Sequence, residues 1–171
     1  MSRLLELLRQ EGLKLDGKRS IRDHHAERIS LITMARAMVQ TIKDDVDRKI
    51  VIGMLTDGIF QREQISTGLA SVEANRLPAI KQTKEHFYGR RQSAVQLVDM
   101  LTTNPSIDDE TLVSFLVERS QVHHVTKAQN MAPRKYTMSN PNVTWQEAYA
   151  ACGVVLEKRV GQKRGRKPKH V

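Results

Sequence analysis

Arg28-Ile29-Ser30-Leu31-Ile32-Thr33-Met34-Ala35-Arg36-Ala37-Met38-Val39-Gln40-Thr41-Ile42-Lys43-Asp44-Asp45-Val46 is the stretch from which the fold is read. Ile29, Ile32, Ala35, Val39, Ile42 and Val46 recur at threes and fours. That spacing lines apolar side chains along one face of an α-helix. Ile32, Val39 and Val46 are β-branched and seven apart, as favoured at one seam of a parallel two-stranded coil. Leu31, Met34 and Met38 widen the stripe, so the helix suits a bundle, or a dimer that packs further helices. The expectation is one long central helix, with Ile32, Val39, Ile42 and Val46 as its oligomerisation residues in a dimer or higher oligomer.

Outward from this stretch the pattern stays helical. Leu4, Leu5, Leu7 and Leu8 predict a short amphipathic helix over residues 2–14. Ser20 with Asp23 three later reads as a capping box for the central helix. Ile50, Val51, Ile52, Met54 and Leu55 are apolar nearly all round, which predicts a buried segment ended by Thr56-Asp57-Gly58. A further helix is expected from Ile59 to Arg76, with Gly68 inside it and Pro78 as the break after it. Residues 80–102 predict another, with Lys81, Lys84, Arg90 and Arg91 as a basic side. Ser106 is expected to cap the next, with Asp108, Asp109 and Glu110 in its first turn and Leu112, Val113, Phe115, Leu116 and Val117 on its core face. Residues 130–143 hold two prolines and three asparagines and read as a linker. Thr144 with Glu147 three later then opens a final helix faced by Trp145, Ala148, Tyr149, Cys152, Val155 and Leu156.

The predicted fold class is therefore all-α: a self-associating helical body over 1–128, a linker over 129–143, and a C-terminal helix running into a basic tail over 144–171. The totals agree with that reading. Hydrophobic residues make up 39% of 171, enough for a core, while aromatics are only 4%. Met, Leu, Ile, Val and Ala fill the interior, with few Gly and Pro to punctuate strands. The single cysteine, Cys152, leaves no intrachain disulfide to form and suits a reducing compartment. No secretory leader is read at the start, and no run of 18 apolar residues predicts a membrane span.

The net charge of +9 comes from 28 basic and 19 acidic residues. From Lys158 to Val171 there are seven Lys or Arg and no acid, so residues 1–157 carry 21 basic against 19 acidic. A segment this polar buries too little apolar surface to fold alone, and is expected to stay disordered until bound. Such charge density attracts a polyanion by releasing its counterions. Gly165 between Arg164 and Arg166 lets the backbone approach a narrow groove, with both guanidinium groups along its floor. Pro168 favours an extended path for itself and Lys167, and Lys163, Lys167 and Lys169 are placed to reach phosphates. Lys158 and Arg159 continue the basic run on the body side.

The last ten residues resemble the AT-hook of chromatin proteins and are similar to the Arg-Gly-Arg groove readers of bacterial xenogeneic silencers. They differ from the usual hook in having Lys167 between the second arginine and the proline. The resemblance implies double-stranded, A·T-rich DNA as partner and a non-enzymatic architectural or regulatory role. It implies a nucleoid or cytoplasmic location in a bacterium or phage, and a nuclear one in a eukaryote. Two alternatives stay open on the residues: a helical adaptor or inhibitor that binds another protein, with the tail auxiliary, and an RNA-binding protein.

Nothing in the sequence calls for a cofactor, a metal or a catalytic centre. There is no phosphate-cradling glycine loop, nucleophile elbow or paired helical His-Glu motif. The doublets His24-His25 and His123-His124 point about 100° apart on a helix, so they are expected as surface or capping residues rather than ligands of one ion.

Overall fold

Asp44 is where the long periodic stretch stops being one helix. The first helix, α1 (Ile21–Gln40), ends in a tight turn in which the Thr41 and Ile42 amides donate to the carbonyls of Met38 and Val39. Asp44 then starts α2 (Asp45–Leu55), its carboxylate accepting from the amides of Val46 at 2.8 Å and Asp47 at 2.9 Å. Asp47 returns the favour by accepting from the Lys43 amide at 3.1 Å. The cap satisfies amides that a continuous helix would have bonded internally, and the local chemistry wins over the apolar repeat.

The computed structural model describes residues 14–15, 21–140 and 143–160. Among them are seven α-helices and five strands, so the fold is mixed α/β and the all-α expectation is overturned. Past α2 the helix does not end at Thr56-Asp57-Gly58 but widens into a π-helical turn, Thr56–Phe60, burying Ile59 and Phe60. The next seven residues form β2 (Ile65–Ser71), where a helix was expected. Gly68 sits there at φ +73, a left-handed conformation that interrupts a right-handed helix and favours glycine. Only α3 (Val72–Asn75) survives of that predicted helix, capped by Ser71 Oγ accepting from the Ala74 amide at 3.0 Å.

The predicted helix over 80–102 likewise divides. A 3₁₀ turn (Ala79–Lys81) leads into β3 (Gln82–His86), and α4 (Arg90–Thr103) begins only after Gly89. α5 (Asp109–Arg119) is capped by Asp108 rather than Ser106, and β4 (Gln121–Thr126) follows at once. The expected linker contains α6 (Ala132–Ser139), with Pro133 in its first turn, where its missing amide costs nothing. α7 (Trp145–Ala151) has the predicted Thr144–Glu147 capping box, then stops at Cys152 and Gly153 (φ +67). β5 (Leu156–Lys158) follows it, so the final helix does not run into the basic tail.

The sheet order is β1-β2-β4-β3, where β1 is the pair Lys14–Leu15. β1 pairs antiparallel with Ile65 and Ser66 of β2, and β5 pairs antiparallel with Leu69, Ala70 and Ser71 of the same strand, on either side of Gly68. The chain forms two compact units that interleave in sequence. Unit 1 is Met1–Gly68 with His86–His123, and unit 2 is Leu69–Glu85 with His124–Val171. The expected helix over 2–14 lies outside the described residues, save Lys14 in β1.

Unit 1 is built on one apolar cluster. Ile32 and Ala35 of α1 meet Val51, Ile52 and Leu55 of α2, Leu97, Val98 and Leu101 of α4, and Leu112 and Leu116 of α5. Phe60 and Phe115 meet edge to face at 6.4 Å. Arg36 ties α1 to the start of α5, donating to Asp109 at 2.9 Å and to the carbonyls of Pro105 and Ile107. Arg28 and Glu63 form a buried ion pair at 2.8 Å in the same unit.

The predicted oligomerisation seam is divided by this packing. Ile32 is 1% exposed inside the cluster, and Val39 and Ile42 lie half-buried against it. Val46 is on the other helix and 62% exposed. The histidine doublet in β4 is also placed differently from expectation. Successive strand residues point to opposite faces, and both His123 and His124 are buried. Within unit 1 His123 stacks on Phe87, ring centres 4.2 Å apart.

Candidate nucleic-acid interface

The division of the fold is also a division of charge. Residues 1–68 and 86–123 hold 15 Lys or Arg against 15 Asp or Glu. Residues 69–85 and 124–171 hold 13 against 4, so the entire excess of +9 belongs to unit 2. The pairs Arg28–Glu63, Arg36–Asp109, Arg48–Asp99 and Arg119–Glu118 all lie in unit 1. In unit 2, Arg76, Lys81, Lys127, Arg134, Lys135 and Lys158 are exposed.

One of the four acids of unit 2 carries no charge at neutral pH. Glu85, at the end of β3, is 8% exposed, and burial pushes its carboxyl up to about 8. The Tyr149 hydroxyl of α7 donates to it, which partly offsets that rise. Burial, the neighbouring Glu85 and Cys152 in turn push the Tyr149 phenol upward. Trp145 meets Tyr149 edge to face at 5.8 Å one turn apart on the same helix. Glu73 and Glu147 stay anionic and are already engaged. Gln129 donates to Glu73 at 2.7 Å, and the Thr144 amide donates to Glu147 at 2.7 Å; each bond holds its carboxyl below the usual range.

The start of the basic tail is fastened to the sheet. β5 is hydrogen-bonded to β2 through residues 156–158. Asn75, at the end of α3, grips the strand just beyond. Its Nδ2 donates to Glu157 Oε1 at 2.8 Å and to the Lys158 carbonyl at 3.1 Å, while its Oδ1 accepts from the Val160 amide at 3.0 Å. Arg159 donates to Gln82 Oε1 at 3.1 Å. Gln82 is held by its own Nε2, which donates to the carbonyls of Ala74 and Leu77 at 2.9 and 3.0 Å.

Of the predicted DNA-binding residues, Lys158 is exposed at the end of β5 and Arg159 is half-buried and turned to Gln82. Arg159 therefore serves the fold at least as directly as a ligand. Lys163, Arg164, Gly165, Arg166, Lys167, Pro168 and Lys169 lie outside the described residues. The basic side expected from Lys81, Lys84, Arg90 and Arg91 on one helix is divided among elements: Lys81 lies in the 3₁₀ turn and Lys84 in β3, while Arg90 and Arg91 lie in the first turn of α4. Sequence reasoning missed Asn75 and Gln82. Single amides beside a proline carry no pattern, although the apolar run Val154-Val155-Leu156 after Gly153 is a strand signal.

Among the described residues no group of three or more His, Cys, Asp or Glu is arranged to hold a metal ion, and no helix is long and apolar enough to cross a membrane. The chain matches no family model, no curated protein and no solved structure.

Proposed function

We propose that this is a non-enzymatic DNA-binding protein, architectural or regulatory, whose unit 2 and C-terminal tail contact the duplex. The observation that carries the reading is the charge division: unit 1 is neutral, and the whole excess of +9 falls in unit 2 and the segment that leaves it. A polyanion is drawn to the unit whose sequence continues into the Arg-Gly-Arg step. The anchored root adds to this. Fixing residues 156–160 by β5 pairing and by Asn75 shortens the tether between tail and body, which raises the effective concentration of each contact once the other is made.

In this reading Arg164 and Arg166 enter an A·T-rich minor groove, and Lys163, Lys167, Lys169 and Lys158 neutralise flanking phosphates. The test is fluorescence anisotropy on A·T-rich and G·C-rich duplexes across a salt series. Three proteins are compared: the full chain, residues 1–160, and the Arg164→Ala/Arg166→Ala variant. Removing residues 161–171 deletes five cations and flattens the log–log salt slope by about 4. The double alanine variant loses the A·T preference. Unchanged affinity in the truncated protein refutes the proposal, and stronger competition by single-stranded RNA than by duplex transfers the site to RNA.

A further inference from the structure

Ile80 is 93% exposed, and no other large apolar side chain among the described residues exceeds 62%. Single apolar residues are ordinary on a surface, but this one stands in the middle of a turn that the fold holds fixed. Pro78 sets the entry to the 3₁₀ turn Ala79–Lys81, and its carbonyl accepts from the Lys81 amide at 2.8 Å. The Leu77 amide donates to the Ala74 carbonyl at 3.0 Å. Gln82 closes the segment from its far end through the bonds to the Ala74 and Leu77 carbonyls. An isoleucine presented on such a turn loses little conformational freedom when it enters a partner.

The surroundings of the turn select the partner. From Ala74 to Lys84 there is no acid, and Arg76, Lys81 and Lys84 are exposed. Glu73, just before this stretch, feels the charge of Arg76 and accepts from Gln129; Glu85, just after it, is buried. Residues 76–81 are bracketed by Asn75 and Gln82, the two side chains that hold the root of the tail. That root brings Lys158 and Arg159 beside the turn, against the one carboxylate of Glu157, which accepts from Asn75. All of these residues belong to unit 2. A lone apolar side chain flanked by cations suits a duplex. Phosphates take the cations, and the side chain parts two stacked base pairs, a use to which isoleucine is put among minor-groove binders. A protein groove calls for a wider apolar face, and a lipid surface for several such residues.

We propose that Ile80 is a wedge that enters between two base pairs and kinks the duplex, with Arg76 and Lys81 on flanking phosphates and the tail in the adjoining minor groove. The inference rests on the DNA-binding reading and adds to it a deformation of the DNA. It gives Asn75 and Gln82 a second role, because they hold the wedge and the root of the tail together. Pyrimidine–purine steps, TA among them, are the easiest to unstack, so the wedge and the tail favour the same A·T-rich sequences.

Energy transfer between the ends of a labelled A·T-rich duplex of about 25 base pairs with a central TA step, at saturating full-chain protein, tests it, with anisotropy for affinity. The wild type is expected to bring the ends closer, by a kink of about 20–90°. Ile80→Ala is expected to lose most of that bend, with melting temperature and salt slope as in the wild type, and Ile80→Leu to keep it. On a duplex whose central step is mismatched, and so already partly unstacked, the wild type is expected to bind about tenfold tighter than on the matched one, and Ile80→Ala to lose that preference. Binding without bending by the wild type, or equal bending by Ile80→Ala, overturns the wedge and leaves the DNA-binding reading standing. Absence of duplex binding overturns both. A lower melting temperature in Ile80→Ala also overturns it, by showing that the side chain serves the fold. Loss of binding to phosphatidylserine vesicles in Ile80→Ala, with bending untouched, overturns it in favour of a lipid surface.

Discussion

Replacing Glu85 with glutamine should make the protein more stable at neutral pH and leave it unchanged in acid. Glu85 is buried at the end of β3, and its carboxyl titrates near 8 instead of at 4.5. Below 4.5 the group is neutral in both folded and unfolded chains, so it contributes no pH dependence. Between 4.5 and 8 the unfolded chain ionises while the folded one keeps its proton. Stability then falls as pH rises, by about 1.4 kcal/mol per pH unit, and levels off above 8. At pH 7 the accumulated loss is about 3 kcal/mol. Glu85→Gln imitates the neutral carboxyl, still accepts from the Tyr149 hydroxyl, and cannot ionise. Its gain over wild type should be near zero at pH 4 and about 3 kcal/mol at pH 7, or roughly 10 °C in melting temperature for a chain of this size. Differential scanning fluorimetry of both proteins from pH 4 to 9 measures the difference directly. Tyr149→Phe removes the donor that opposes the rise, so it should carry the decline to higher pH. A gap between wild type and Glu85→Gln that is the same at pH 5 and pH 8 would refute the argument, because desolvation of the charge would then not be the dominant cost.

Two further outcomes follow from packing and hydrogen bonding. Asn75→Ala removes three hydrogen bonds from the root of the tail; it should cost about 1–2 kcal/mol and speed hydrogen exchange of the Val160 amide, with DNA affinity lowered but the salt slope unchanged. Ile32→Ala should cost about 3 kcal/mol, read by urea denaturation, because the side chain is 1% exposed within the α1 cluster; it should leave the mass of the native protein in solution as it was, whereas a seam residue would change it.

Much of the helical part was legible. The apolar period of α1, the apolar face of α5 and the Thr144–Glu147 capping box are local patterns, and each leads to the element observed. The strands were not legible in the same way. Gln121-Val122-His123-His124-Val125-Thr126 alternates nothing, because β4 is buried along its middle and both histidines are covered. Ile65–Ser71 is small and weakly apolar, and its decisive feature is the left-handed conformation of Gly68, which the residue permits and does not announce. The three residues of β5 are too short for any period. For the candidate interface, the basic run was plain in the sequence, whereas Asn75 and Gln82 became visible only when α3 and β3 were brought beside the strand that leads to it.

By itself the amino-acid order determined which segments could be helical, where several of them are capped, and that positive charge accumulates toward the C-terminus. These depend on interactions within a few residues. Tertiary structure decided that Val46, Ile50 and Met54 face outward while Ile32 faces inward, and that residues 69–85 join the segment from residue 124 to 160 in one unit. Those outcomes depend on which apolar faces find partners far along the chain. A periodicity states that a face is apolar, but only packing determines what, if anything, covers it.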